Sequence, residues 1–151
     1  MQALHLLLER EEAERDLSLR HLQQAEDEAR RAQSQAELLL NYRDEYRQRW
    51  SAQFARGGSV PLVQCYQGFA ARLDLAIAEQ QRQVQATRAQ VEQRRAVLAA
   101  QQVRVASVRK LIERRASNAR LRAERREHKV GDEIAARAHR LEQMRVAAAA
   151  P

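Results

Sequence analysis

The sequence predicts an all-α chain folded as an elongated, antiparallel two-helix coiled-coil hairpin whose second arm is longer than its first. Three observations carry this. Ala, Arg, Gln, Leu and Glu supply 103 of the 151 residues, against four Gly and two Pro, so helix is favoured and strand nearly excluded. Apolar residues recur at seven-residue intervals on both sides of one break. That break, Ala55-Arg56-Gly57-Gly58-Ser59-Val60-Pro61, is short enough to be a simple turn. The 44% hydrophobic content overstates the core, because Ala is its largest contributor. An Ala buries little area, so a thin seam is expected and a globule is not.

The first arm spans residues 1–56. Positions 22, 25, 29, 32, 36, 39, 43, 46 and 50 alternate steps of three and four and read Leu, Ala, Ala, Ala, Ala, Leu, Arg, Tyr, Trp. Only Arg43 interrupts this stripe. Carried backwards, the frame reaches Leu8 and Leu4 but crosses Glu11, Arg15 and Ser18, so the start of the arm is expected to be out of register or less tightly packed. The turn is 57–61. A paired Gly suits the left-handed residue at a helix C-terminus, Ser59 suits a helix cap, and Pro61 is tolerated in a first turn.

The second arm spans 62–146. Every seventh residue from Ala70 reads Ala70, Ile77, Val84, Val91, Leu98, Val105, Ile112, Ala119. The companion positions Leu73, Gln80, Thr87, Arg94, Gln101, Val108 and Arg115 are mostly polar, which makes the seam narrow. Gly131 offers two outcomes: Asp132 caps a new segment to Val146, or the helix runs through at a cost of about 1 kcal/mol. The tail 147–151 is expected to fray. The longer second arm implies that part of its distal third is unpaired.

Composition excludes several function classes. Cys65 is alone, and no Cys/His cluster has metal-ligand spacing, so neither metal nor cofactor is expected. No Gly-rich phosphate loop, Gly-x-Ser-x-Gly or His-Glu-x-x-His occurs, and a two-helix hairpin offers no enclosed pocket, so no enzyme activity is expected. Glu124 and His128, four apart, read as a surface pair. The run Leu4 to Leu8 meets acidic residues at once and is no signal peptide, and no stretch approaches a membrane span. A cytoplasmic chain without membrane insertion is expected. Residues 1–99 carry 14 basic and 14 acidic residues, and 100–151 carry 13 and 6, so the net +7 lies in the last third. Such asymmetry suits an acidic partner, nucleic acid or anionic lipid, or simply a solvated face.

All six aromatic residues lie between 42 and 69. Tyr42, Tyr46, Trp50 and Phe54 are four apart on the first arm, and Tyr66 and Phe69 follow the turn. A two-helix seam cannot bury six large rings. Gln35, Leu39, Tyr42 and Tyr46 share one face of the first arm, and Phe69, Leu73, Ala76 and Gln80 share one face of the second. Antiparallel pairing brings the two sets together as a partly exposed apolar-aromatic patch, the kind of surface that marks a partner site.

The run Ala36-Glu37-Leu38-Leu39-Leu40-Asn41-Tyr42-Arg43-Asp44-Glu45-Tyr46, with Tyr66-Gln67-Gly68-Phe69-Ala70-Ala71-Arg72-Leu73-Asp74-Leu75-Ala76-Ile77 after the turn, resembles the FliJ family of flagellar export proteins. The acidic start, Leu8 to Glu14, agrees. The resemblance implies a coiled-coil stalk of the flagellar type III export apparatus, cytoplasmic and peripherally associated with the inner membrane. It implies three partners: the hexameric export ATPase, the membrane export gate and export chaperones. Carried over by residue, the gate-binding patch is Gln35, Leu39, Tyr42, Tyr46, Phe69, Leu73, Ala76 and Gln80; at the last position members of the family can have His. The ATPase contact would use the helix ends, including Arg114, Arg115, Arg122, Arg125 and Arg126. Two other readings compete: the equivalent stalk of a virulence type III system, and a basic nucleic-acid-binding coiled coil. Against the latter, Glu113, Glu124, Glu127, Asp132 and Glu133 interrupt the basic run, and no aromatic residue lies there to stack on bases.

Overall fold

A computed structural model describes residues 1–150. They form two helices, α1 (Gln2–Ala55) and α2 (Val60–Ala149), and no strand occurs among the described residues. The helices pack as a hairpin, and α2 is the longer, 90 residues against 54. The connection is built as a helix stop followed by a helix start. Gly57 takes the left-handed conformation, φ 103°, and its N–H donates to the Phe54 carbonyl at 3.1 Å. Ser59 caps α2: its hydroxyl accepts from the Leu62 N–H at 3.4 Å, and its carbonyl accepts from the Val63 N–H at 3.1 Å.

The chain divides into two compact units, Arg10–Arg104 and, separately, Met1–Glu9 with α2 from Val105 onward. In Arg10–Arg104 the seven-residue stripes face each other. Leu22 and Ala25 cluster with Val91 and Leu98, and Ala29 packs against that cluster. Closer to the turn Ala32 and Ala36 cluster with Val84. The pairing is antiparallel, and small Ala on α1 faces branched residues on α2, which lets the helices approach closely.

Three polar residues of α2 enter this seam and find hydrogen-bond partners there. Gln80 Nε2 donates to the Ala32 carbonyl at 3.0 Å. Thr87 is buried, and its hydroxyl lies 3.0 Å from both the Gln83 and Val84 carbonyls of its own helix. Gln101 is buried and donates to the Glu11 carbonyl at 3.1 Å and to Glu11 Oε2 at 2.5 Å. The expectation for the start of α1 therefore resolves. Glu11, Arg15 and Ser18 stay on the seam frame, half-buried, so the stripe keeps its register with polar packing in place of apolar.

In the second unit Val105 is the most buried core residue, 2% exposed, while Leu4, Leu8, Val108 and Ile112 are half-buried. From Asn118 to Ala150 every residue is exposed. Helix α2 runs through Gly131, where an added Cβ would meet nothing within 4 Å, so no new segment starts at Asp132. Of the tail expected to fray, 147–149 are helical, and Pro151 lies outside the described residues.

Candidate partner-binding site

The six aromatic side chains gather beside the turn within the Arg10–Arg104 unit. On α1, residues four apart stand over one another, one turn of helix at a time. Tyr42 and Tyr46 stack with centroids 6.2 Å apart, Tyr46 meets Trp50 edge-on at 5.9 Å, and Trp50 meets Phe54 at 5.4 Å. On α2, Tyr66 and Phe69 are three apart and reach across. Phe69 lies 4.6 Å from Tyr46 and 6.3 Å from Tyr42, and Tyr66 stacks on Tyr46 at 5.5 Å. Tyr46 thus touches four rings. These distances lie in the range where aromatic pairs add about 0.5–1.5 kcal/mol beyond area burial. Phe54 also closes the turn, since an added Cβ on Gly58 would come within 3.1 Å of its ring.

None of the six rings is fully buried. Tyr42 is the most open, 43% exposed, and the other five are half-buried. Packing around Tyr46 and the nearby Cys65 thiol hold its hydroxyl above the ordinary phenol value of 10.0. The patch is therefore an apolar surface carrying a neutral phenol, suited to bind protein rather than to do proton chemistry at neutral pH. Among the described residues no group of His, Cys, Asp and Glu is placed to hold a metal ion.

Of the eight residues assigned to one docking face, Tyr42, Tyr46 and Phe69 are in ring contact. Leu39 is half-buried beside them in sequence, and Ala76 is exposed on α2. Leu73 is buried in the seam, 7% exposed. Gln35 and Gln80 lie closer to the middle of the hairpin, where both line one groove with Ala32, Gln83 and Thr87. Gln80 spends its amide on the Ala32 carbonyl. Leu38 and Leu75, outside the assigned face, are exposed at 68% and 71%. Trp50, Phe54 and Tyr66 also stand outside the eight: Trp50 and Tyr66 pack on Tyr46, and Phe54 packs on both of them. The four-residue spacing on α1 is the signal that finds Trp50 and Phe54.

Arg43 follows Tyr42 on α1. Its Nε is buried with no hydrogen-bond partner, and its Nη1 sits 3.6 Å from Asp74 Oδ1, a loose ion pair. The five distal arginines, Arg114, Arg115, Arg122, Arg125 and Arg126, are all exposed on α2 in the second unit. The structure therefore holds the aromatic set and the basic set in separate units.

No helix among the described residues is long and apolar enough to cross a membrane. Comparison with known proteins gives one result: a family model described as flagellar FliJ protein matches residues 1–144 of this chain. No curated protein and no solved structure matches.

Proposed function

The chain belongs to the flagellar FliJ protein family, a family of non-catalytic flagellar export components, and on that premise we propose that it is a coiled-coil stalk joining an export ATPase to the membrane export gate. The gate contact is the aromatic patch by the turn. The observation that carries this is the exposure of Tyr42 over a cluster of mutually packed rings. A hairpin that needed these rings only to close its end would turn them inward. Tyr suits such a contact because its ring gives rigid apolar area and its hydroxyl a polar tip. Leu73, buried in the seam, anchors the stretch of α2 that carries Phe69 and Ala76, and Gln35 and Gln80 extend the contact along the seam groove.

The ATPase contact is the distal basic part of α2, with Arg114, Arg115, Arg122, Arg125 and Arg126. Exposed arginines attract acidic surfaces without deep burial, and such contacts weaken with salt. Export chaperones are a third partner class, and the chain works in the cytoplasm at the inner-membrane export apparatus.

The test replaces Tyr42 and Tyr46 together by Ala in the full chain. Binding to the purified cytoplasmic part of the gate is expected to fall by at least about 2 kcal/mol, the size of an interface hot spot. Helix content by circular dichroism is expected to stay within a few per cent of wild type. Unchanged gate binding with intact helicity refutes the patch assignment.

A further inference from the structure

We infer that the exposed distal part of α2 is a docking face for a partner helix carrying carboxylates along one edge. Up to Ile112 the apolar face of α2 repeats every seven residues. Beyond it the repeat changes to eleven. Ile112, Ala123 and Ile134 are eleven apart, and so are Ala119, Val130 and Leu141. Eleven residues make three turns at 3.67 per turn, close to the 3.6 of a straight helix, so the stripe runs lengthwise rather than winding off the face. It begins where the buried seam of the second unit ends, at Val105, Val108 and Ile112. Yet Val130, Ile134 and Leu141 are 53%, 63% and 62% exposed.

The two edges of the stripe differ in charge, and this selects the occupant. Ala116, Glu127 and Ala138 complete the repeat, and the residues just before successive stripe positions include Arg115, Arg122, Arg126, Lys129, Arg137 and Arg140, with Glu133 the one acid among them. The residues just after include Glu113, Glu124 and Glu142, with Arg120 the one arginine among them. A partner lying on the stripe therefore meets six cations along one side and a single arginine along the other. A membrane is the poorer match, because Ala fills much of the first half of the stripe and no aromatic residue occurs beyond Phe69. Small Ala instead permits close approach of a second helix. A second copy of this chain brings the same excess of positive charge and leaves most of the row unneutralised. An amphipathic helix with Glu or Asp along one edge answers both the stripe and the row.

This deepens the proposal that the distal arginines contact a partner, and it rests on that proposal. The probes are two labelled synthetic helices with Leu and Ala in an eleven-residue repeat, one edged with Glu and its twin edged with Lys. Fluorescence anisotropy on the full chain is expected to show the Glu-edged helix binding at least about ten-fold tighter. Ile134→Asp with Leu141→Asp is expected to abolish that binding, Ile134→Leu to retain it, and Arg122→Glu with Arg126→Glu to reverse the preference. Circular dichroism checks that each variant stays helical. Equal binding of the twins overturns the inference, as does binding that survives the Asp variants. Preferential binding of phosphatidylglycerol vesicles, or self-association through these residues in ultracentrifugation, also overturns it. The same variants are titrated with purified export ATPase. Loss of ATPase binding in the arginine variant but no stripe-dependent peptide binding sinks this inference alone. An arginine variant that leaves both ligands bound sinks the underlying proposal as well.

Discussion

Arg43 occupies a seam position where every other residue from 22 to 50 is apolar, and it leaves its buried Nε without a partner. An unmet buried donor costs about 1–3 kcal/mol, whereas a half-exposed ion pair at 3.6 Å to Asp74 returns little. Arg43→Leu is therefore expected to stabilise the hairpin by about 1 kcal/mol, read as a higher thermal midpoint by circular dichroism. A lower midpoint would show that the Asp74 pair outweighs the orphaned donor. At Tyr46 the raised phenol pKa has a definite sign. The neutral form is favoured in the folded chain, so its stabilisation persists through neutral pH and is lost only in alkali. Tyr46→Phe is expected to remove a phenolate absorbance component that titrates above pH 10. The gathering of the rings was legible from spacing alone, because four-residue steps stack side chains on a helix. The orphaned Nε was not, since which atom of an arginine escapes solvent depends on packing from both arms.

At the scale of the element, the seven-residue repeats and the Gly-Gly-Ser-x-Pro turn made both helices and their antiparallel pairing readable. Two features escaped. Glu11 looked like a fault in the first stripe, and its partner Gln101 lies 90 residues away, beyond the reach of any local pattern. The distal stripe of α2 was hidden because its period is eleven, so a seven-residue template sees only scattered Ala and Val. Gly131 posed a choice that propensity alone does not settle, and α2 continues through it. With open space around its missing Cβ, Gly131→Ala is expected to add helical stability of up to about 1 kcal/mol. The check is the mean residue ellipticity during a thermal melt. No gain would mean that this glycine serves a contact made only with a partner.

Across the whole molecule, core and charge are segregated along the chain. The buried clusters fall within 22–105, and the excess of positive charge falls after residue 100. Residues 118–150 are held only by their own helix, with every side chain exposed, so local opening there is cheap. Brief trypsin treatment is expected to cut after arginines between 120 and 145 before any in 10–104, as read by mass spectrometry of the fragments. Simultaneous cleavage in both regions would show that the distal stretch is as protected as the seam. The seam's polar joints have one more effect. Gln80 and Gln101 both seek main-chain carbonyls on α1, acceptors that every amino acid supplies. Exchange of the Ala32 side chain leaves its carbonyl in place, whereas exchange of Gln80 discards the joint itself. The two halves of each clasp thus differ in kind: the longer helix gives a specific amide, and the shorter one gives a main-chain acceptor that outlasts side-chain exchange, although Ala32 is also held by its packing in the seam and Glu11 by its own carboxylate bond to Gln101.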